Sequence, residues 1–144
     1  MLKFIIIMLT LTINANAINW KRFDNGCQRY SSFIQRASAE YRLDTTLIQA
    51  IIEKESHWNP KASGTFNCNG LMQVQGGSFN PERNIIQGCS ILRRCIDAYK
   101  GNIIMALTAY NSGIAGARKL LRQKRTLVYA RDILKIYRLI IERR

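Results

Sequence analysis

Histidine, proline and acidic residues are scarce in this sequence. Its 144 residues include one histidine, two prolines and nine acidic residues, against 22 lysines and arginines. With His57 as the single histidine and no C-x-x-C motif, the ligands of a zinc site are missing. We therefore expect no metal and no other cofactor. The aromatic-rich basic motif of an RNA-binding module is also absent, so nucleic acid is not an expected partner.

Long apolar runs are absent except at the N-terminus. The segment MLKFIIIMLTLTINANA contains Lys3, an apolar run from Phe4 to Ile13, and the small-residue pattern Ala15-Asn16-Ala17. This pattern is typical of a signal peptide, and the run is shorter than the roughly 20 residues of a membrane span. We predict a signal peptide over 1–17 and a periplasmic or secreted domain over 18–144 without a membrane span. An uncleaved anchor is the alternative.

The positive charge persists after removal of this segment. Loss of Lys3 leaves 21 basic residues (22 − 1) and 9 acidic residues, a net charge of +12 (21 − 9). An exported protein with this charge meets anionic envelope polymers or membrane surfaces sooner than it meets nucleic acid. A cationic surface that only confers solubility accounts for the same charge, so the charge alone does not identify a partner.

The cysteines are four in number: Cys27, Cys68, Cys89 and Cys95. An even count in an exported chain suggests up to two disulfides, with three connectivities. If Cys89 and Cys95 share one helix, six residues separate them by about 9 Å along its axis, which is beyond disulfide reach. We therefore expect Cys27 to pair with one of these two and Cys68 with the other.

Glycine and proline cluster between residues 59 and 88, and the other segments have helical periodicity. The predicted helices cover residues 29–41, a segment that starts at Thr45 after the N-cap Asp44, and residues 84–99, 102–111 and 127–141. Gly113 is the predicted C-cap of the fourth helix. The fifth is amphipathic, which suits a core-packing helix or a membrane-surface helix; we favour the core. The expected fold is a mostly α, single domain.

The second predicted helix ends in two glutamates, Glu53 and Glu55. Its apolar stripe comprises Ile48, Ile51 and Ile52. Helical spacing extends this stripe to Glu55, whereas Glu53 follows Gln49 on the polar side. We predict that Glu53 is solvated and that Glu55 is buried, with a pKa raised by desolvation and by the helix dipole, as a general acid requires. A buried ion pair with a lysine or arginine is the alternative for Glu55.

The residues after Glu55 support a site at this helix end. Ser56 can orient the carboxyl group through a hydrogen bond, and Asn59-Pro60 ends the helix beside the loop-rich segment, where clefts form. We interpret Trp58 as a core residue and His57 as a surface residue.

Four motifs in this order resemble those of the soluble lytic transglycosylases. The first is E-S-x-x-N-P from Glu55 to Pro60, and the second is Gly70-Leu71-Met72-Gln73. The third is Ala109-Tyr110-Asn111-Ser112-Gly113, and the fourth contains Tyr129 in TLVYARDILKIY. The resemblance covers roughly residues 28–140. It implies a lysozyme-like α fold with a substrate cleft.

The resemblance also implies cleavage of the β-1,4 bond between N-acetylmuramic acid and N-acetylglucosamine in peptidoglycan. It places the catalytic acid at Glu55, assisted by Tyr129. The substrate-binding residues that it implies, including Ser56 as a support of the acid, are Ser56, Gly70, Leu71, Met72, Gln73, Ala109, Tyr110 and Asn111. The expected partners are glycan strands and an envelope-spanning secretion, conjugation or pilus machine, or a phage, for which the enzyme opens the wall.

Ordinary glycosidases use two carboxylates, but no second acid lies in a motif. A lone acid suits the family's substrate-assisted route, in which Glu55 acts first as acid and then as base and a 1,6-anhydro sugar forms without water. The alternatives are a lysozyme-like hydrolase that uses water and a non-catalytic peptidoglycan-binding or membrane-active module. The sequence departs from the family at 74–81, which lacks the usual early proline, and at 62–69, which contains Cys68. Both departures concern the cleft rim.

Overall fold

The computed structural model describes residues 18–123 and 127–144, so the predicted signal peptide over 1–17 lies outside the described residues. Five helices dominate the fold. They are α1 (Trp20–Tyr41), α2 (Thr45–Ser56), α3 (Pro81–Ala98), α4 (Ile103–Arg122) and α5 (Val128–Arg143). A short helical turn at Thr65–Asn67 precedes two strands, β1 (Cys68–Asn69) and β2 (Val74–Gln75). The predicted mostly α fold is confirmed.

Side-chain caps fix the starts of the first two helices. Asp44 accepts hydrogen bonds from the backbone N–H groups of Thr46 and Leu47, as its predicted N-cap role requires. Asn19 caps α1 by accepting from the N–H of Arg22, so α1 starts nine residues before the predicted residue 29. Trp20, Phe23 and Cys27 continue the apolar spacing of three and four residues into this segment, but the polar residues and Gly26 between them obscured the pattern.

Gly113 divides α4 into two helical segments. Its φ of 74° and ψ of 160° are not helical, so the first segment ends there, but a second segment continues to Arg122. The prediction of a helix end at Gly113 was therefore right for the first segment only. The Cβ of any other residue would be strained at this φ.

The fifth helix packs into the core. Ala130, Ile133, Ile136 and Ile140 on one face of α5 are buried, and this face lies against α2. The packing supports the core interpretation of its amphipathic pattern over the membrane-surface one. Within the described ranges, no helix is long and apolar enough to cross a membrane.

Helix α2 lies at the centre of the hydrophobic core. Ile48, Ile51 and Ile52 are fully buried, and α1 and α5 both pack against this helix. A central helix is covered on more than one face, so an amphipathic pattern with one buried stripe does not describe it completely. This property decides the environment of its two glutamates.

A small antiparallel hairpin follows α2. Its strands pair Cys68 with Gln75 and Asn69 with Val74. The fully buried side chain of Asn84, in the first turn of α3, anchors the hairpin. Asn84 accepts from the N–H of Met72 at 2.8 Å and donates to the carbonyl oxygen of Asn69 at 2.8 Å. The hairpin is thereby held at a fixed position against α3.

The two predicted disulfides are not formed. All four cysteines, which lie within the described residues, are free thiols. Cys89 and Cys95 share α3, as the predicted pairing assumed. Cys27 is bonded to neither of them and lies in a hollow beside Asp24 and Arg143, on the side of α1 that faces the end of α5. Burial raises the pKa of the Cys27 and Cys89 thiols to about 12, so both stay protonated near neutral pH.

Candidate active site

A cavity of about 850 Å³ opens beside the C-terminal end of α2. Its walls are the end of α2, the segment from Gly64 to Gln75, one face of α3 and the residues around the Gly113 break in α4. The volume falls within the range of ligand pockets in proteins. Four separate parts of the chain therefore meet at this cavity.

Glu55 lies in the wall of this cavity and is half-buried. Desolvation raises the pKa of its carboxyl group. A hydrogen bond from Tyr129 and the charge of Lys54 oppose that rise without cancelling it. The carboxyl group thus retains its proton to a higher pH than an exposed glutamate and faces a space that can hold a ligand. That combination is what a general acid needs.

Tyr129, in the first turn of α5, donates its hydroxyl hydrogen bond to Oε1 of Glu55. Burial raises the pKa of the Tyr129 phenol well above its usual value, and the charge of Glu55 acts in the same direction. The phenol therefore remains a hydrogen-bond donor across the whole range of physiological pH. Tyr129 contacts Glu55 but does not itself line the cavity.

Glu53 is buried, so the prediction that it is solvated was wrong. Only 2% of Glu53 is exposed, and its Oε1 lies 2.6 Å from Nη2 of Arg22 and 3.3 Å from Nδ1 of His57. The buried ion pair considered for Glu55 occurs here instead. The reason is the unpredicted first part of α1, which covers this side of α2 and brings the guanidinium group with it.

The other predictions for this helix end have mixed outcomes. Trp58 is buried against the rings of Phe23 and Tyr30, and His57 is exposed, as interpreted from the sequence. Ser56, in contrast, donates its hydroxyl hydrogen bond to the carbonyl oxygen of Ile52 at 3.2 Å. This bond within α2 uses the one hydroxyl proton, so Ser56 does not orient the Glu55 carboxyl group as predicted.

Most of the second motif lies behind the cavity wall and does not form its surface. Leu71 and Met72 are fully buried and do not line the cavity, which corrects their predicted place there. Gly88 of α3 leaves room for Met72, since a Cβ on Gly88 would lie 2.5 Å from the Met72 sulfur. Gly70 lets the chain approach Asn84, because a Cβ there would lie 2.5 Å from the Asn84 amide nitrogen.

Gln73 does line the cavity, and its side chain also braces the wall. Its Nε2 donates to the carbonyl oxygens of Ala62 at 3.1 Å and Gly70 at 3.0 Å. Its Oε1 lies so close to Gly64 that a Cβ there would be 2.4 Å away. Gln73 therefore joins Ala62 and Gly70, the two ends of the segment that contains β1.

The third motif provides the wall of α4. Ala109, Tyr110 and Asn111 all line the cavity. The phenol of Tyr110 donates to the carbonyl oxygen of Met72 at 2.8 Å, and this bond ties α4 to the second motif. The second and third motifs, which this bond joins across 38 residues of sequence, are thereby connected beside the cavity.

The sequence motifs missed several lining residues, and Phe66 and Arg94 are two of them. Arg94 is an exposed residue of α3, and its charge was not distinguishable from the many others on this basic chain. Phe66 is a large apolar residue among the small and polar residues of a turn segment. This contrast is the sequence signal that could have identified it.

Comparisons with known proteins find relatives of this chain. The chain is 32% identical over 98 residues to a transglycosylase of Enterobacteria phage PRD1, covering 62% of this chain and 37% of that protein. It is 30% identical over 144 aligned positions to the membrane-bound lytic murein transglycosylase C of Sodalis glossinidius, covering 81% of this chain and 38% of that protein. The chain thus spans less than two fifths of the length of these relatives.

Two solved structures share the fold. The 70 kDa soluble lytic transglycosylase of Escherichia coli superposes with a TM-score of 0.69 at 24% identity, over 87% of this chain and 27% of that chain. An inactive glutamate-to-glutamine mutant of the lytic transglycosylase Slt of Pseudomonas aeruginosa gives 0.68 at 22% identity, over 85% and 26%. The predicted lysozyme-like α fold of the lytic transglycosylases is confirmed.

The sequence profile of the transglycosylase SLT domain matches residues 32–133, a range that contains Glu55, the hairpin and Tyr129. By this match over more than half of its length, the chain belongs to the transglycosylase SLT domain family.

Proposed function

We propose that this chain is a peptidoglycan lytic transglycosylase that cleaves the β-1,4 bond between N-acetylmuramic acid and N-acetylglucosamine. The observation that supports this most directly is Glu55: a half-buried acid with a raised pKa, facing a cavity and held by a neutral tyrosine hydroxyl. A glycan strand is the substrate class that the names of the relatives indicate.

In the first step, the protonated carboxyl group of Glu55 gives its proton to the glycosidic oxygen. The bond from that oxygen to C1 of the muramic acid breaks, and the leaving sugar departs with a new hydroxyl group. The carbonyl oxygen of the muramic acid's own acetamido group bonds to C1, and the positive charge that develops at C1 passes to the acetamido group. The hydrogen bond from Tyr129 stabilises the carboxylate that Glu55 becomes.

In the second step, the Glu55 carboxylate removes the proton from the 6-hydroxyl of the same muramic acid. The 6-oxygen then bonds to C1, and the bond from C1 to the acetamido oxygen breaks. The product is a 1,6-anhydro sugar, and Glu55 regains its proton without the consumption of water. One carboxyl group serves as acid and base in turn.

The composition of the cavity wall favours this route over a hydrolase that uses water. Two-carboxylate glycosidases place the second acid roughly 5–10 Å from the first. Among the described residues that line the cavity, Glu55 is the only acid. Glu53, the nearest acid in sequence, is buried away from the cavity and paired with Arg22.

The similarity to known proteins adds support. Relatives along most of the chain are named lytic murein transglycosylases. A glutamate-to-glutamine replacement is present in the inactive mutant whose fold this chain shares. This is the outcome that the single-acid proposal requires of Glu55→Gln.

The test is digestion of purified peptidoglycan followed by mass spectrometry of the released muropeptides. We expect anhydro-muropeptides from the wild type and none from Glu55→Gln. Glu53→Gln is the matched control, since it removes the neighbouring acid from the same helix turn but leaves the cavity intact; it should give the same products as the wild type.

Other outcomes would contradict the proposal. Products with reducing ends would establish the hydrolase, and full activity of Glu55→Gln would exclude this residue as the acid. Binding of the wild type to peptidoglycan without any released product would indicate a non-catalytic binding module.

We also propose that the chain is exported and that it acts together with a larger envelope complex. Peptidoglycan lies outside the cytoplasmic membrane, and the signal-peptide pattern of residues 1–17 would direct the chain there. We infer local wall opening for a secretion, conjugation or pilus system, or for a phage; the phage transglycosylase among the relatives supports the last of these. Co-purification of cross-linked envelope complexes with the full chain tests this role.

A further inference from the structure

Phe66 stands out among the residues that line the cavity. It is 83% exposed, the largest exposed fraction among the large hydrophobic residues of the described chain, and yet it lies at the rim of a defined cavity. Phe66 lies in none of the four sequence motifs. A phenyl ring in this position has no hydrogen-bonding group and offers a ligand only its faces and edge.

The backbone at Phe66 has an unfavourable conformation. Its φ of 57° and ψ of 31° lie in the left-handed region, and Asn67 follows with a φ of 58°. Asparagine tolerates this region, whereas a bulky residue such as phenylalanine is rarely found there. Unfavourable backbone of this kind persists only where the surroundings enforce it, and it is frequent at ligand-binding sites.

Hydrogen bonds on both sides of Phe66 enforce this conformation. The N–H of Gly64 donates to the carbonyl oxygen of Cys68 at 2.7 Å, which closes the turn around Phe66. The N–H of Gly76 donates to the carbonyl oxygen of Asn67 at 2.8 Å, which joins the turn to the second strand. The ring is therefore presented to solvent by a braced turn and not by a loose loop.

We propose that Phe66 is a stacking platform for one sugar ring of the glycan strand bound in the cavity. This inference rests on the proposed function, because it supposes that a glycan occupies the cavity. A β-linked pyranose presents axial C–H groups on its ring face, and these carry a small positive charge. The face of an aromatic ring is negative, so the two faces attract each other while both lose contact with water.

The platform makes Phe66 a substrate-positioning residue. Glu55 supplies the proton, whereas Phe66 contacts a sugar ring and contributes to binding of the strand in the same cavity. The contact stabilises the bound strand and the transition state of bond cleavage to the same extent. Loss of the ring should therefore weaken binding of the strand and leave the chemical step nearly unchanged.

The variants for the test separate the ring from the backbone. Phe66→Asn keeps a residue that tolerates the left-handed conformation and removes the aromatic face. Phe66→Tyr and Phe66→Trp keep an aromatic face, and Phe66→Leu keeps only apolar volume. Phe79→Ala is the matched control: Phe79 is 49% exposed but does not line the cavity.

Two measurements are made on the full chain. The first is the rate of anhydro-muropeptide release against the concentration of purified peptidoglycan. Phe66→Asn should raise the half-saturating concentration about 5- to 50-fold with a maximal rate within about twofold of the wild type, as expected for one stacking contact. Phe66→Tyr, Phe66→Trp and Phe79→Ala should match the wild type, and Phe66→Leu should resemble Phe66→Asn.

The second measurement is co-sedimentation with peptidoglycan in a Glu55→Gln background, which reports binding without catalysis. An unchanged bound fraction on adding Phe66→Asn would overturn the inference, as would recovery of binding by Phe66→Leu. A wild type that releases no muropeptides would refute the proposed function instead, and the binding measurement would still decide the role of Phe66.

Discussion

Glu55 and Glu53 leave the same turn of α2 toward different surroundings. Glu53 meets a guanidinium group at 2.6 Å, whereas Glu55 meets a phenol hydroxyl and an open cavity. Glu53 thus forms an ion pair, whereas desolvation raises the pKa of the Glu55 carboxyl group. Two identical side chains two residues apart are thereby suited to different roles, one structural and one catalytic.

Replacement of Tyr129 by phenylalanine tests the hydrogen bond to the acid. The bond lowers the pKa of Glu55, so its loss should raise that pKa further. Because Glu55 starts the reaction protonated, activity falls as the pH rises above its pKa, and this fall should move to higher pH in Tyr129→Phe. We expect a maximal rate about 10- to 100-fold lower. The pH profile of muropeptide release measures both effects, and an unchanged profile would contradict the role of Tyr129.

The raised pKa of Glu55 also predicts an effect on stability. Its pKa in the fold lies above the unfolded value of 4.5, so its contribution is present below pH 4.5 and is lost as the pH rises through the folded value. Glu55→Gln cannot ionise in either state, so it does not undergo this loss of stability. Its melting temperature should therefore exceed that of the wild type by a few degrees near pH 7, with little difference near pH 4. Thermal unfolding at the two pH values measures this; a less stable variant at pH 7 would contradict it.

At the scale of elements, the site depends on how helix ends are held. The cavity lies where α2 ends, where α4 breaks at Gly113 and where the hairpin is anchored by Asn84. Helix ends expose groups to a ligand, and the rigid helices behind them fix those groups. Changes at these joints should alter the site without touching Glu55.

Gly113→Ala tests the break in α4. With φ at 74° and no atom within 4 Å of an added Cβ, the cost is conformational, about 1–3 kcal/mol. Relaxation of the break would also move the wall at Ala109–Asn111, so we expect weaker substrate binding. Gly101→Ala is the control, since Gly101 has a φ of 83° and equal free space but lies outside the cavity. It should lose similar stability and keep the half-saturating peptidoglycan concentration.

Arg22→Ala tests the joint between α1 and α2. It leaves the Glu53 carboxylate buried without its guanidinium partner, and we expect a loss of about 2–3 kcal/mol in the free energy of unfolding. This loss is smaller than the loss for a fully buried ion pair, because the Arg22 side chain is 36% exposed and water partly screens its charge. Denaturant unfolding measures it. Arg93→Ala, which breaks the surface pair with Asp97, should cost less than about 1 kcal/mol; equal losses would refute the distinction.

At the scale of the whole molecule, charge is the dominant property. The formal net charge of the full sequence is +13, whereas the cavity lining, among the described residues, holds one acid and one arginine. Under the proposed function, the surface charge contributes long-range attraction to an anionic polymer, and the cavity contributes bond cleavage.

Salt should weaken attachment before it weakens chemistry. In the Glu55→Gln variant, we expect the fraction bound to purified peptidoglycan to fall as sodium chloride rises from about 0.05 to about 0.5 M, because the screening length shortens about threefold over that range. The melting temperature should change little, since the core is apolar. Co-sedimentation at the two salt concentrations measures the effect, and salt-independent binding would exclude a contribution of the net charge.

The sequence determined most of the helices and indicated Glu55 as the candidate acid. Asp44 starts α2 because its side chain caps the helix locally, and Gly113 breaks α4 because glycine alone adopts its backbone angles readily. The position of Glu55 at the end of an apolar stripe followed from helical spacing, and the ordered motifs indicated the family. Each cap, stripe and single motif consists of residues that are close together in the chain.

Only the tertiary structure decided which groups meet. Arg22 reaches Glu53 across 31 residues of sequence, and Tyr129 reaches Glu55 across 74. Periodicity reports which side of a helix is apolar, but not how many neighbours cover that helix or which polar groups they bring. The burial of Glu53, the internal bond of Ser56, the free cysteines and the exposed ring of Phe66 all depend on such packing. For that reason, the sequence predicted the acid, and the fold defined its surroundings.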